Sequence, residues 1–539
     1  MLTEIPILTL ILWSPLLGVL AVLLLPAKSP RLLRTAGIIG TLLPLLLAFW
    51  LFANYNPEQG GAAYEEQASW IEVPLNKEAV PVDAPPEFYT YNLQFEYHLG
   101  VDGLSLPLLL LAALVTAMAA FASVYIKKRW KVFYVWFLLL EVGMLGVFLA
   151  RDLVLFFLFF ELTLIASYFL IGIWGSYNKE KAANKLLIYN GLGSALMLIA
   201  FVILIAAAGF SYTETDSGLH FLISGNYDVI LQNLSDPDAL VHAAGSPFYM
   251  SAGLQWAIFI LLLIAFGIKL PIFPFHTWML KVHLEAPPAL VMIHSGVLLK
   301  MGAYGLLKFG VFLFPHQTEQ WAVLLAVLGV INILYGALLA MRQTEFKLVL
   351  AYSSMSHMGI VLLGIASLGT IGLQGAVFQL ISHGLISALL FLIVGSLYER
   401  TGTTNIAELG GLARAMPFMS GILLVAGLAS LGLPGLSGFV GELLALLGLF
   451  ATMKWLTAVA ALGIILTAVY VLRAVLGITY GPIDDRYAAL GDARLVESLP
   501  MVVLTAFIIL LGVYPGILTN SMQYSFDLLL NQLHARAGG

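Results

Sequence analysis

Lys269 lies in AIFILLLIAFGIKLPIFPFHTWML and Lys300 in SGVLLKMGAYGLLKFG, runs that are otherwise almost wholly apolar. Glu161 in LVLFFLFFELTLIASYFLIGIW, Glu442 in GLPGLSGFVGELLALLGLF and Glu141 in WFLLLEVGMLGVFLA repeat the pattern with the opposite charge. Ionisable groups are expensive in hydrocarbon, so they face protein or internal water there and mark ion movement. A lysine in a poorly hydrated site can load and release a proton near neutrality, and a carboxylate beside it changes how firmly the proton is held. The spacing therefore predicts a charge relay. For Lys300 the competing account is snorkelling to an interface.

Histidines accompany these charges. His276, His283 and His294 recur close to whole helical turns, although Pro287 and Pro288 put His294 on a separate helix. His357 in YSSMSHMG and His383 in QLISHGLISALLF each fall in mid-span. Imidazole titrates near neutrality, which suits it to pass protons between lysines; the alternative is a histidine hydrogen-bonded within the packing. No convergent ligand set for a metal is legible. Asp102 in GVDGLSLP opens a span, where capping the helix and a chemical role are both open readings. Lys308 is expected to be a terminal helix charge.

The elements that must hold these groups are membrane helices. Of 539 residues 60% are hydrophobic and 10% charged, against about 25% charged in soluble domains. At about 20 residues per span, the sequence predicts an all-α integral membrane protein of about 14 transmembrane helices. They are expected near 4–25, 33–53, 104–124, 132–150, 152–173, 185–209, 255–283, 288–310, 320–341, 345–369, 371–397, 417–447, 456–479 and 499–519. The N-terminal run is too long, and too acidic at its start, for a signal peptide, and is expected to be a retained first span. With no cysteine, the chain offers neither disulfides nor cysteine-held iron–sulfur centres. A net charge of −5 without a dense basic tract argues against a nucleic-acid surface, and no nucleotide-binding glycine motif appears.

Two polar segments interrupt the spans: an acidic, Pro-rich linker at 54–100, and a second loop at 211–250 with Glu214, Asp216, Asp228, Asp236 and Asp238. Basic clusters at Lys127–Lys131, Lys179–Lys185 and Arg342–Lys347 fall between other spans. The basic loops are expected to face the cytoplasm and the acidic ones the outside. GIKLPIFPFHTW and LGLPGLSGFVGELL are both broken by Gly or Pro, carry a charge and precede a further long helix. Paired discontinuous spans mark inverted-repeat transporters. The expected division is 1–130, a first repeat 131–310, a second repeat 320–480 and a C-terminal helix within 481–539.

GVDGLSLP, FFLFFELTLIASYFLIG, FGIKLPIFPFHTWMLKVHLEAPP, HSGVLLKMGAYGL, YSSMSHMG and GLPGLSGFVGE together resemble the antiporter-like membrane subunits of respiratory complex I. Related sodium/proton antiporter subunits share much of the pattern, and the resemblance is weakest at 54–100 and 211–250. Glu442, where L- and N-type members typically carry lysine, makes the M type (chain 4 in mitochondria) the nearest match. The resemblance implies roles for Glu161 and Lys269 as the pair of a first half-channel, Lys300 as the connecting residue and Glu442 in the second half. It places His294, His357 and His383 on a central hydrophilic axis; Glu141, from its own apolar setting, is expected to be a second carboxylate on a neighbouring helix. It also implies a proton-translocating role beside subunits L and N; with no targeting segment legible, a bacterial plasma membrane is the expected location ahead of a thylakoid. No cofactor is expected in this chain; FMN, iron–sulfur clusters and quinone belong to partner subunits. A subunit of a sodium/proton antiporter is the alternative.

Overall fold

The computed structural model describes residues 6–59, 64–75, 89–215 and 218–537. Two helices open the chain, α1 (Ile7–Leu24) and α2 (Pro30–Asn54), followed by strands β1 (Glu66–Pro74) and β2 (Tyr89–Leu99). Then come α3 (Ser105–Ala122), α4 (Trp130–Leu149), α5 (Leu153–Trp174) and α6 (Lys179–Ala208). Strands β3 (Phe210–Thr215) and β4 (Gly218–Ser224) precede the short α7 (Tyr227–Ser235). Next are α8 (Ala252–Lys269), α9 (Thr277–Glu285), α10 (Pro288–Ile293), α11 (Leu299–Gly305) and α12 (Pro315–Gln320). The second half holds α13 (Ala322–Arg342), α14 (Phe346–Ala366), α15 (Thr370–Thr401), α16 (Pro417–Ser430) and α17 (Ser437–Thr452). It ends with α18 (Lys454–Thr479), α19 (Leu495–Val513) and α20 (Gly516–Ala537).

Among the described residues 13 helical spans are long and apolar enough to cross a membrane. The half-helices α16 and α17 together supply one further crossing, in agreement with the expected count. A helix apolar on every side belongs in a bilayer or in the core of a large bundle. Both cases occur here: α1 and α6 present large apolar side chains outward, while α15 and the Pro288–Val311 span are enclosed along their apolar stretches. Three of the candidate relay residues, His294, Lys300 and His383, sit on these enclosed helices. Pro288–Val311 is also irregular, because π-helical turns at His294–Leu298 and Leu306–Val311 flank α11. Such turns re-aim side chains and cluster at functional sites.

The polar segments are more ordered than loops and linkers. Their strands form one sheet in the order β1-β2-β4-β3, with β2 and β4 parallel and the outer pairs antiparallel. Membrane-scale hydropathy overlooks short strands, yet YTYNLQFEYHL and LHFLIS are rich in the aromatic and branched residues that fit a pleated surface. The pairing puts both polar segments on one side of the helix bundle, as helix parity requires. Asp216 and the Pro-rich stretch 76–88 lie outside the described residues. The expected single C-terminal helix is instead two, α19 and α20, and Ser525 of α20 accepts a bond from Gly103 N at 3.0 Å.

Asp152 starts α5, the helix that carries Glu161. Its Oδ1 accepts from Val154 N and Leu155 N, both at 2.9 Å, while Oδ2 is buried without a partner. Burial pushes the carboxyl up to about 6 against the pull of its two backbone bonds, with Glu96 adding to the rise. An unfolded aspartate titrates near about 3.9. The folded state therefore binds the proton more tightly, and stability falls as pH rises from about 4 through about 6. Asp152→Asn keeps the capping oxygen and removes the charge. We expect it to raise stability by roughly 3 kcal/mol at pH 8, with the gain vanishing below about pH 4. Thermal unfolding of the detergent-solubilised protein at the two pH values checks this.

Candidate functional site

The first break in the helices ends α8 at Lys269. Prolines cannot donate backbone bonds, so a chain interrupted at Pro271 and Pro274 leaves polar groups that lipid cannot satisfy. Asn332 of α13 meets two of them: its Oδ1 accepts from Phe273 N at 2.8 Å, and its Nδ2 donates to Pro271 O at 3.4 Å. Trp278 Nε1 donates to Ile268 O at 2.9 Å from the far side of the break. Neither residue was singled out from the sequence, although Asn332 is itself a lone amide in the apolar run GVINILYG.

Lys269 is 3% exposed, and its Nζ lies 4.9 Å from the centre of the Phe160 ring. Phe160 adjoins Glu161, the carboxylate whose charge reaches Lys269. The two do not form an ion pair within 4.0 Å, and one Glu161 oxygen is buried without a hydrogen-bond partner. Glu141 on the adjacent α4 is fully buried, with both oxygens unpartnered. An uncompensated charge in such surroundings is costly, so each carboxyl needs a proton, a water or an approaching cation.

Beyond Lys269 the histidines draw together. His283 Nε2 and His294 Nδ1 are 3.0 Å apart, so the Pro287–Pro288 break brings the two rings into contact instead of separating them. The charges around His294 include both Lys269 and Lys300. His276 stays at the break, packed on Phe273 and Tyr335, and joins none of these contacts.

Lys300 is fully buried and does not snorkel. Its Nζ donates to Ser295 O, a carbonyl inside the first π-turn, and to His383 Nδ1 at 2.7 Å. The His383 and His357 ring centres are 5.2 Å apart. His357 Nδ1 then lies 3.3 Å from Glu442 Oε1. Beside this row, a cavity of ≈ 10 Å³ is lined by His383, Ser353, Ser354, Ser387 and Ser430, about the space one water needs. Four helices thus bring Lys300, His383, His357 and Glu442 into one polar row.

The second break positions Glu442. Gly432 and Gly435 adopt φ of 78° and 90° on either side of Pro434, a left-handed geometry that favours glycine. A Cβ on Gly432 would lie 2.7 Å from Glu442 Oε2, so the glycine turn also leaves room for the carboxylate.

Two terminal residues form a pair that the sequence did not reveal. Lys308 is 3% exposed and donates to Asp102 Oδ2 at 3.0 Å, with Tyr227 donating to the Lys308 carbonyl. Asp102 does cap α3, through Oδ1 to Leu104 N and Ser105 N. Burial pushes its carboxyl up, but Lys308 and Arg151 outweigh that and hold it below the usual carboxylate range. The ends of α3 and of the Pro288–Val311 span are separated by 206 residues, which hid the pairing.

The family model for the NADH:quinone oxidoreductase/Mrp antiporter transmembrane region matches residues 150–467. NAD(P)H-quinone oxidoreductase chain 4 of Gloeobacter violaceus is 36% identical, over 97% of this chain and 92% of that protein. NADH-quinone oxidoreductase subunit M of Rhodobacter capsulatus is 34% identical, over 95% and 93% respectively. A chain of respiratory complex I from Thermus thermophilus shares the fold at a TM-score of 0.79 and 29% identity, over 97% of this chain and 99% of that one. A chain of the Mrp complex from Dietzia, at a TM-score of 0.76 but 21% identity, shares the fold alone. With its match over residues 150–467 and these full-length relatives, the chain belongs to the family of NADH:quinone oxidoreductase and Mrp-type antiporter membrane subunits.

Proposed function

We infer that the chain is the proton-translocating membrane subunit, of the M or chain 4 type, of an NADH:quinone oxidoreductase. It is a multi-pass protein of the bacterial plasma membrane and associates with other antiporter-like membrane subunits of that complex. Quinone is reduced elsewhere in the assembly, and this chain contributes the ion path. Full-length similarity to relatives so named supports this. For its neighbours we propose the L and N types on either side.

The observation that carries the mechanism is the row Lys300–His383–His357–Glu442, with contacts of 2.7 Å and 3.3 Å at its ends. We assign Glu161 and Lys269 to proton loading, with Glu141 as a neighbouring carboxyl that alters the local charge. His294 and its partner His283 connect Lys269 to Lys300. From Lys300 the proton moves through His383 and His357 to Glu442. No covalent step is involved. A change in charge at one group alters the proton affinity of the next, an effect that is strong where water is scarce. The two broken helices, each followed by a long span, support division into repeats at 131–310 and 320–480.

The test is to isolate the assembly in mild detergent and assay NADH:quinone oxidoreduction, then proton uptake in liposomes. Activity with proton uptake is the expected result. An assembly that lacks flavin and iron–sulfur absorbance yet exchanges sodium for protons would establish the antiporter instead.

A further inference from the structure

Gln379 lies one helical turn before His383 on α15, a spacing that puts both on one helix face. Its Nε2 is 3.2 Å from His357 Nδ1, the same nitrogen that lies 3.3 Å from Glu442 Oε1. Its own Oε1 is buried with no hydrogen-bond partner. The other ring nitrogen, His357 Nε2, is 3.3 Å from Ser430 Oγ. The seat is tight: a Cβ on Gly441 of α17 would run into the Gln379 amide and backbone. An amide and a carboxylate thus compete for one imidazole nitrogen, and the amide's oxygen is left idle.

We propose that Gln379 is a positioning residue that rectifies proton transfer from His357 to Glu442, an inference that rests on the relay assigned above. The 3.2 Å and 3.3 Å contacts fit a state in which the amide N–H donates to a bare Nδ1 and the ring proton sits on Nε2 facing Ser430. This is the neutral ring after discharge: the Nδ1–H bond has broken, an O–H bond has formed on Glu442, and imidazolium and carboxylate have both been neutralised. The bound amide then blocks return of the proton to Nδ1. Rearming moves a proton from protonated His383, whose N–H bond breaks, onto His357 Nδ1 once Glu442 has passed its own proton on. There an amide N–H would face another N–H. A half-turn of the amide relieves this by offering the idle Oε1 as acceptor. The titratable groups around His357 are Glu442 from α17, His383 from α15 with Lys300 behind it, and Tyr470 from α18 through Ser353.

The test compares Gln379→Leu, Gln379→Glu, His357→Ala and the double variant Gln379→Leu/His357→Ala in the whole complex. Assembly is checked on native gels, and proton uptake by inverted vesicles is measured as a function of pH. Gln379→Leu is expected to assemble and to pump about three- to tenfold more slowly, the scale of one lost hydrogen bond. Glutamate only accepts and so favours the charged ring, whereas leucine does neither. The half-maximal pH should therefore lie about one unit higher in Gln379→Glu than in Gln379→Leu. Gln379→Leu should add nothing to the loss caused by His357→Ala, because it acts through that ring. If Gln379→Leu fails to assemble, the near-isosteric Gln379→Glu still supplies a profile to set against the parent protein. A parental rate and profile in the Gln379 variants, or additive losses in the double variant, would overturn the proposal. Undiminished pumping by His357→Ala would instead remove His357 from the path, and the relay assignment would fail first.

Discussion

Lys269→Ala is expected to leave the complex assembled and to lower proton pumping on the order of 100-fold, the scale at which a positioned proton carrier contributes. The ammonium ends α8 at the break and rests 4.9 Å from the Phe160 ring, without an ion pair to Glu161 within 4.0 Å. A cation over an aromatic face is held by only about 0.5–2 kcal/mol. A small displacement toward Glu161, next to Phe160 on the same helix, would exchange one weak partner for a stronger one. Lys269→Arg separates charge from proton carriage, because guanidinium stays protonated at any pH of interest. The arginine variant should assemble and pump no better than the alanine variant. Undiminished proton uptake with arginine at 269 would mean that the residue supplies only a fixed charge. Loss of assembly in both variants, with normal pumping by whatever complex remains, would point to a scaffold.

The charges of the proposed path were legible because membrane helices contain so few. Lys269, Lys300, Glu161 and Glu442 stand out against apolar neighbours, and hydropathy placed the spans that carry them. Contacts between distant helices were not legible. Sequence assigned Lys308 to a helix end, but its partner Asp102 lies 206 residues away. The Lys300–His383 bond similarly spans 83 residues. The sheet escaped for a related reason: β2 and β4 pair in parallel across four helices, and their edges take part in no membrane-scale pattern. Neutral amides gave the weakest signal. Asn332 and Gln379 interrupt apolar runs just as the charges do, but a buried amide is common enough in packed helices to pass unnoticed. The structure shows Asn332 holding the broken backbone at Phe273 and Gln379 facing His357.

Glu442→Gln should also assemble and should lower pumping on the order of 100-fold, because it removes the group to which the proposed relay delivers the proton. The substitution conserves size, so the glycine turn at Gly432 and the packing of α17 against α15 need not change. It presents a second amide to His357 Nδ1, already faced by Gln379. Neither amide can carry the proton away. Glu442→Asp keeps the chemistry but withdraws the carboxylate from a nitrogen 3.3 Å away, so it should retain intermediate activity. Glu442→Lys is the sharper case, since lysine is what the resemblance associates with L- and N-type members at this position. In this chain an ammonium there offers donors alone, so it could not take a proton from His357 Nδ1, and it would repel a protonated His357. Assembly with little pumping is the expected result, measured as proton uptake by inverted vesicles. Pumping at the parental rate with lysine at 442 would show that any titratable group suffices, and the acidic acceptor would lose its place in the path.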